Sequence, residues 1–425
     1  MNYYKDLSQE ALIKRRDMLE EKLEIYKAQN LALNMSRGKP CTEQLEISND
    51  MFQYMGKTDI TQELDYRNYG LLDGTRAAKT LFANILEVDA SEVIVGGNSS
   101  LILMYDTIIK AMLLGNNDSD KPWVKEKKVK FLCPSPGYDR HFSICESLGI
   151  EMITIGMNAY GPDMDEVERL VKEDSCIKGI WCVPKYSNPT GITYSDEVVD
   201  RLASMETAAK DFRIFWDNAY VIHHLYSEHD RLKNILAACK TYNHPNRAYL
   251  FASTSKVTFP GAGISCIAGS EANMDFIRSQ MSVQTIGANK LNMAMHTDFL
   301  KDMDFVAEHM EEHAALIRPK FEIVYKAFDK CLGEKNIAIW NKPKGGYFIN
   351  LDLMPGTAKA VDQLAKSLGL VLTPAGATFP YSKDPRDMNI RIAPTYPSLE
   401  ELKLAMEVLC ACIEYVCLNK ILDND

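Results

Sequence analysis

The spacing of hydrophobic positions changes character along this chain. Residues 8–30 carry apolar side chains at helical spacing among alternating charges, which predicts a surface helix. The next stretch, NMSRGKPCTEQLEIS at 34–48, breaks that pattern, and its Gly38 and Pro40 predict a loop without regular structure. From about residue 90 to 270 the pattern becomes a series of short β-rich runs, at 92–96, 128–133, 151–156, 178–184, 212–217, 248–253 and 264–269. Several are apolar throughout, as expected of strands covered on both faces in a parallel sheet. Helical stretches fit between them, SLILMYDTIIKAMLLG at 100–115 and SDEVVDRLASMETAAK at 195–210 among them. This alternation predicts a layered α/β domain.

After Met274 long helical segments run to Leu332. A strand-like WNKPKGGYFINLDL, a helix, a second strand-like run MNIRIAPTYP and a closing helix follow. They predict a smaller α+β domain joined by the N-terminal segment. The expected division is residues 1–50 with the small domain, 51–305 as the large domain and 306–425 as the rest of the small domain.

With 425 residues, 46% of them hydrophobic and 25% charged, the chain is excluded from the disordered, collagen-like and disulfide-stapled classes. Its 48 basic and 58 acidic residues leave a net charge of −10, which argues against a grip on nucleic acid or an anionic membrane. The eleven cysteines are odd in number, scattered, and form no C-x-x-C pair. Cys410, Cys412 and Cys417 lie in an apolar helical run and read as core. Scattered thiols suit a reducing compartment. No run of 18 apolar residues and no signal-peptide pattern occurs, so a cytoplasmic protein without a membrane span is expected.

In open α/β sheets ligands bind beyond the carboxyl ends of the strands. After the first run comes GGNSS with Asn98, Ser99 and Ser100, directly ahead of a helix whose free N–H groups favour an anion. CPSPGYDRH places Tyr138 in a turn, and PKYSNPTG holds Asn188. FWDNAY ends a strand at Asp217 with Tyr220 three residues on, and STSK brings Ser253, Ser255 and Lys256. A lysine nucleophile, a carboxylate for a pyridine nitrogen, hydroxyl and amide donors for a ring oxygen and a phosphate cradle are together the set that pyridoxal 5'-phosphate chemistry needs.

On SNPTG (187–191), WDNAY (216–220), STSK (253–256), KGGYF (344–348) and NIRIAP (389–394), the chain resembles the fold-type I, class I pyridoxal-phosphate aminotransferases from about residue 34 to 410. With NMSRGKP and NYGLLDG added, it is most similar to a divergent aspartate aminotransferase subgroup. The resemblance implies a mostly parallel seven-stranded sheet sandwiched by helices, plus a smaller α+β domain. It also implies a homodimer with shared active sites. Lys256 would hold the cofactor and move the substrate proton. Asp217 would face the pyridine nitrogen, Asn188 and Tyr220 the ring oxygen, and Tyr138 the ring. Asn98, Ser99, Ser100, Ser253 and Ser255 would hold the phosphate, with Tyr69 reaching it from the other subunit. Arg391 would fork onto the substrate α-carboxylate, with Gly38 beside it. Many relatives have a phosphate-binding arginine where this chain has Ile264. A second substrate carboxylate would need a further cation, for which Lys290 of the neighbouring subunit, Arg37, Arg140 and, more weakly, Lys185 are candidates.

The implied reaction moves the amino group of L-aspartate, or a similar amino acid, to 2-oxoglutarate by a ping-pong route. Alternatives are another donor specificity (alanine, aromatic) or a pyridoxal-phosphate β-lyase. A regulator carrying such a domain is disfavoured, since no helix-turn-helix pattern precedes the resemblance. His309 and His313 match an H-x-x-E-H metal pattern. Their charged surroundings instead suggest an outer helix face, and no metal is expected.

Overall fold

The computed structural model describes residues 4, 6–57, 59–61 and 64–424. Ahead of residue 270 lie β1 (Leu33–Asn34), β2 (Val93–Val95), β3 (Lys130–Ser135), β4 (Glu151–Asn158), β5 (Gly161–Pro162), β6 (Ile177–Cys182), β7 (Arg213–Asp217), β8 (Ala248–Ser253) and β9 (Ser265–Ala268). Beyond it come β10 (Ala338–Trp340), β11 (Ile349–Leu353), β12 (Leu370–Val371) and β13 (Asn389–Ile392). The main sheet runs β2–β9–β8–β7–β6–β3–β4–β5. Its centre, from β8 through β4, is parallel, and β9 runs antiparallel to both β8 and β2.

Each of the seven apolar runs is a strand of this sheet. The eighth strand, β5, was not expected: the chain turns back at Gly161 (φ +139°) and pairs Met157 with Pro162. Two residues are too few to leave a hydropathy signal. Position in the sheet explains the patterning. Every residue of β6 and β7 is buried, because layers cover both faces of the centre. β4, flanked on its outer side only by β5, buries just Met152 and Ile155 and leaves its other positions partly or fully exposed.

The 34–48 loop contains a short helix, Thr42–Glu46. Gly38 and Pro40 keep the chain irregular only up to Cys41, whose backbone N–H donates to Gln44 Oε1 at 3.2 Å and starts the turn. The helix expected over 195–210 spans only Asp196–Ser204, since Met205 is already extended. The helical stretch to Leu332 resolves into Glu271–Gln284, Lys290–Leu300 and Met303–Cys331.

Two hydrophobic cores meet along that last helix. Its first turns put Val306 and Met310 against the sheet core, while Ile317, Phe321 and Val324 join a second core with Leu351, Leu402 and Leu409. The helix Gln9–Ala28 buries Leu12, Leu19, Leu23 and Tyr26 in this second core, each leucine contributing about 2 kcal/mol. Both ends of the chain therefore share one core. Pairing of Leu33 with Leu370 and the ion pair from Arg15 to buried Glu414 (2.8 Å) reinforce the join. All eleven cysteines are free and nine are buried, Cys410, Cys412 and Cys417 included. Among the described residues no helix is long and apolar enough to cross a membrane.

Candidate functional site

Because β3, β6, β7 and β8 are parallel, their carboxyl ends open to one side, and the segments that follow them wall a cavity of about 610 Å³. Tyr138, Asn188, Asp217, Tyr220 and Lys256 all line it. Ser99, Ser100, Ser253 and Ser255 line its far end. Arg391 enters from β13 of the small antiparallel sheet, and Arg37 and Gly38 enter from the N-terminal loop. The cavity thus lies where the two cores face each other.

Asp217 is 3% exposed. Its Oδ2 lies 3.0 Å from His141 Nε2, while its Oδ1 is buried without a partner. An orphaned carboxylate oxygen at a cavity wall calls for an N–H or cationic donor from a ligand. His141 is itself locked by stacking on Trp181, with ring centroids 4.1 Å apart and planes 6° from parallel. Lys256 Nζ sits 4.9 Å from the centre of the Tyr220 ring and 5.8 Å from that of Tyr347. Burial holds this amine below lysine's usual pKa, against the opposing pull of Asp217. Burial pushes the Tyr220 hydroxyl well up, and burial with the Asp217 and Asp139 charges pushes Tyr138 up to about 12. Both tyrosines therefore stay protonated donors at neutral pH.

At the serine end, Ser99 precedes the helix Ser100–Leu114 without capping it, so its hydroxyl and the first backbone N–H groups remain available. Ser253 Oγ donates to Ser255 Oγ at 3.0 Å, and Ser265 Oγ pins the glycine loop through Gly97 O at 2.7 Å. Asn98 departs from expectation. Its amide donates to Pro260 O at 3.3 Å, and the residue lines a neighbouring cavity of about 520 Å³ shared with Ile264. Ile264 is buried, and its backbone N–H donates to Thr254 Oγ1 at 3.0 Å.

Two further expected residues lie away from the cavity in this chain. Tyr69 is 77% exposed. Lys290 is buried, with its ammonium on Gly70 O at 3.1 Å, so loop 68–71 and the start of helix Lys290–Leu300 form one unit. Lys185 also misses the cavity. It donates to Val221 O at 2.9 Å and is lowered to about 8 by burial. Arg140 lines the cavity and is exposed.

The expected outer face at His309 and His313 is corrected: both are buried. Their Nε2 atoms lie 2.7 and 2.9 Å from Val257 O, the carbonyl one residue past Lys256. Gln44 bridges His313 Nδ1 (3.1 Å) and Tyr347 Oη (2.9 Å). The charges flanking the pair occupy the opposite side of the helix, which is why the sequence reads as exposed. Among the described residues no group of three or more His, Cys, Asp or Glu side chains could hold a metal.

Sequence reasoning missed His141, Asp139, Thr373 and Phe348. The first two stand in the CPSPGYDRH turn, three and one residues after Tyr138, where the start of a helix returns them to the strand end. Phe348 closes the KGGYF motif but was given no role from it, and Thr373 carries no local signal. Phe348 supports the Arg391 guanidinium, 4.9 Å from its ring centre, and abuts Gly38. A Cβ on Gly38 would fall 2.4 Å from Phe348 Cζ. Gly38→Ala is therefore expected to tilt the ring from beneath Arg391, costing about 1–3 kcal/mol of stability and raising KM for any substrate that Arg391 holds. Thermal unfolding and steady-state kinetics check this; an unchanged KM would show that the loop does not act through Phe348.

This fold recurs in known proteins. The crystal structure of LysN, an α-aminoadipate aminotransferase from Thermus thermophilus, matches with a TM-score of 0.72 at 18% identity, over 91% of this chain and 92% of that one. The architecture is that of the fold-type I aminotransferases. The crystal structure of an aspartate transaminase from Corynebacterium glutamicum matches with a TM-score of 0.95 and 42% identity, covering 98% of each chain. A Corynebacterium glutamicum aspartate aminotransferase is 44% identical over 397 residues, 93% of this chain and 92% of its own length. The family described as aspartate amino-transferase matches residues 7–425. The chain belongs to that family and is an aminotransferase.

Proposed function

We propose that the protein uses pyridoxal 5'-phosphate to move the amino group of L-aspartate, or a similar amino acid, to 2-oxoglutarate by a ping-pong route. The observation that carries the cofactor is the buried Asp217 Oδ1, unpartnered beside a pKa-lowered lysine in one cavity. The donor set fits: a carboxylate for a protonated pyridine nitrogen, an amine for the aldehyde and hydroxyls for the phosphate. When bound, the cofactor supplies an electron sink for the substrate's Cα carbanion.

The chain's own residues do the rest. Lys256 Nζ would carry the proton between the substrate Cα and the cofactor's C4′, a task served by the burial that leaves its amine more readily unprotonated. Asp217, oriented by His141, keeps the pyridine nitrogen protonated. Asn188 and Tyr220 hold the ring oxygen, and Tyr138 covers the ring. Ser99, Ser100, Ser253 and Ser255 take the phosphate without a cation in the Ile264 stretch, and Asn98 contributes through its backbone loop. Arg391 receives the α-carboxylate, with Gly38 of the N-terminal loop beside it. Arg37 and Arg140 line the cavity as cations available to a distal carboxylate, while Lys39 beside them lies over the Tyr396 ring.

The same reading makes the protein a cytoplasmic homodimer that acts on amino and 2-oxo acids, with neither nucleic acid nor membrane as partner. A second copy would bring Tyr69 and the Lys290 loop to this cavity. The division at about residues 50 and 305 would let the Arg391 side close on the Lys256 side. The names borne by the Corynebacterium glutamicum relatives support aspartate as donor. Oxaloacetate formation from aspartate and 2-oxoglutarate tests it directly. Brisk turnover with alanine or aromatic donors, and none with aspartate, would overturn the donor assignment.

A further inference from the structure

Four of the five N–H groups of Arg391 are engaged within the protein itself. Its Nη1 donates to Asp139 Oδ1 at 2.9 Å and to Asn188 Oδ1 at 3.2 Å. Its Nε and Nη2 both donate to Thr373 Oγ1, at 3.2 and 3.1 Å. A guanidinium has five N–H groups, so a single one, on Nη2, is left over. Two-pronged binding of a carboxylate needs two parallel N–H groups along one edge. Thr373 occupies the Nε/Nη2 edge, and the Nη1 side is held by Asn188 and by a carboxylate already in place. A substrate can take the fork only if one of these acceptors yields.

Asp139 is the one built to yield. Its side chain is 33% exposed, against 6% for Arg391, so it can turn to water while the arginine stays. It stands in the first turn of helix Asp139–Ser147, where the helix dipole favours a carboxylate in either position. Asn188 and Thr373 are buried and fixed. Without Asp139, the buried guanidinium would face only neutral acceptors in the resting enzyme, an expensive arrangement for a cation.

We propose that Asp139 is an internal stand-in for the substrate carboxylate, holding Arg391 until an α-amino acid displaces it. The proposal rests on the reading of Arg391 as the α-carboxylate site. Asp139 is then a specificity residue. A ligand bringing a carboxylate replaces the ion pair it breaks, whereas an amine lacking one leaves the pair intact and gains nothing from Arg391. The internal competitor also lowers the apparent affinity for every carboxylate ligand.

The test is titration of the holoenzyme with maleate, an unreactive dicarboxylate, by calorimetry, for wild type, Asp139→Ala and Asp139→Asn. Removing the competitor is expected to tighten maleate binding about tenfold. Damage to the cavity wall would weaken binding, so a gain of affinity separates displacement from a merely structural role. The near-isosteric asparagine covers the case in which alanine misfolds. Tighter binding in either variant supports the proposal, and unchanged or weaker binding in every folded variant overturns it. Oxaloacetate formation is measured on the same preparations. If the wild type neither binds maleate nor forms oxaloacetate, the reading of the site fails first and the proposal falls with it.

Discussion

Replacing Lys256 by alanine is expected to lower the transamination rate by roughly 10⁴-fold, the loss associated with removing a positioned base that is also the nucleophile. Among the described residues, the other lysines in or beside the cavity are committed elsewhere. Lys185 is turned to Val221 O, and Lys290 to Gly70 O. Lys39, at the cavity mouth, lies over the Tyr396 ring at 3.6 Å. The backbone around Lys256 is held independently of its side chain, by Thr254, His309 and His313. The variant should therefore fold. Steady-state oxaloacetate production measures the loss, circular dichroism checks the fold, and the visible absorbance of the wild-type holoenzyme should be missing. A variant that kept a normal rate would mean the base has been misassigned.

Asp217→Ala carries the next largest expectation, a fall in kcat of about 10²–10³-fold, the usual effect of deleting one preorganised charge from a water-excluded site. Asp217 is the last residue of β7, in the all-buried centre of the sheet, and His141 fixes one of its oxygens at 3.0 Å. That leaves Oδ1 aimed without freedom to reorient. The loss should appear in kcat more than in KM, because Arg391 and the N-terminal loop are untouched. Equal loss in both would show that Asp217 serves to shape the cavity.

How much of this was legible in advance divides along physical lines. The seven strands of the main sheet could be read because a strand covered on both faces must be apolar at every position, a local property of the chain. Lys256, Asp217, Tyr220, Asn188 and Tyr138 were readable for a related reason: parallel strands deliver their carboxyl ends to one side, so residues just past each strand are bound to meet. Family motifs then supplied roles. The misses have different causes. β5 is too short to leave a pattern. Helix Thr42–Glu46 hid behind the breakers that precede it. His309 and His313 looked exposed because charged neighbours share their helix but not their face.

Some features belonged to no segment. That Arg391 already holds Asp139, 252 positions away in the chain, depends on how the small sheet faces the large one. So does the seating of Gly38 on Phe348, and the sharing of one core by Leu12 and Leu409. The sequence by itself determined which elements form and which reactive groups stand at the strand ends, because those follow from periodicity and from the chirality of βαβ connections. Only the tertiary structure decided which hydrogen bonds remain open: the free oxygen of Asp217 and the engaged fork of Arg391. Hydrogen bonding has a range of about 3 Å, so it is set by atoms that distant segments bring together and not by neighbours along the chain.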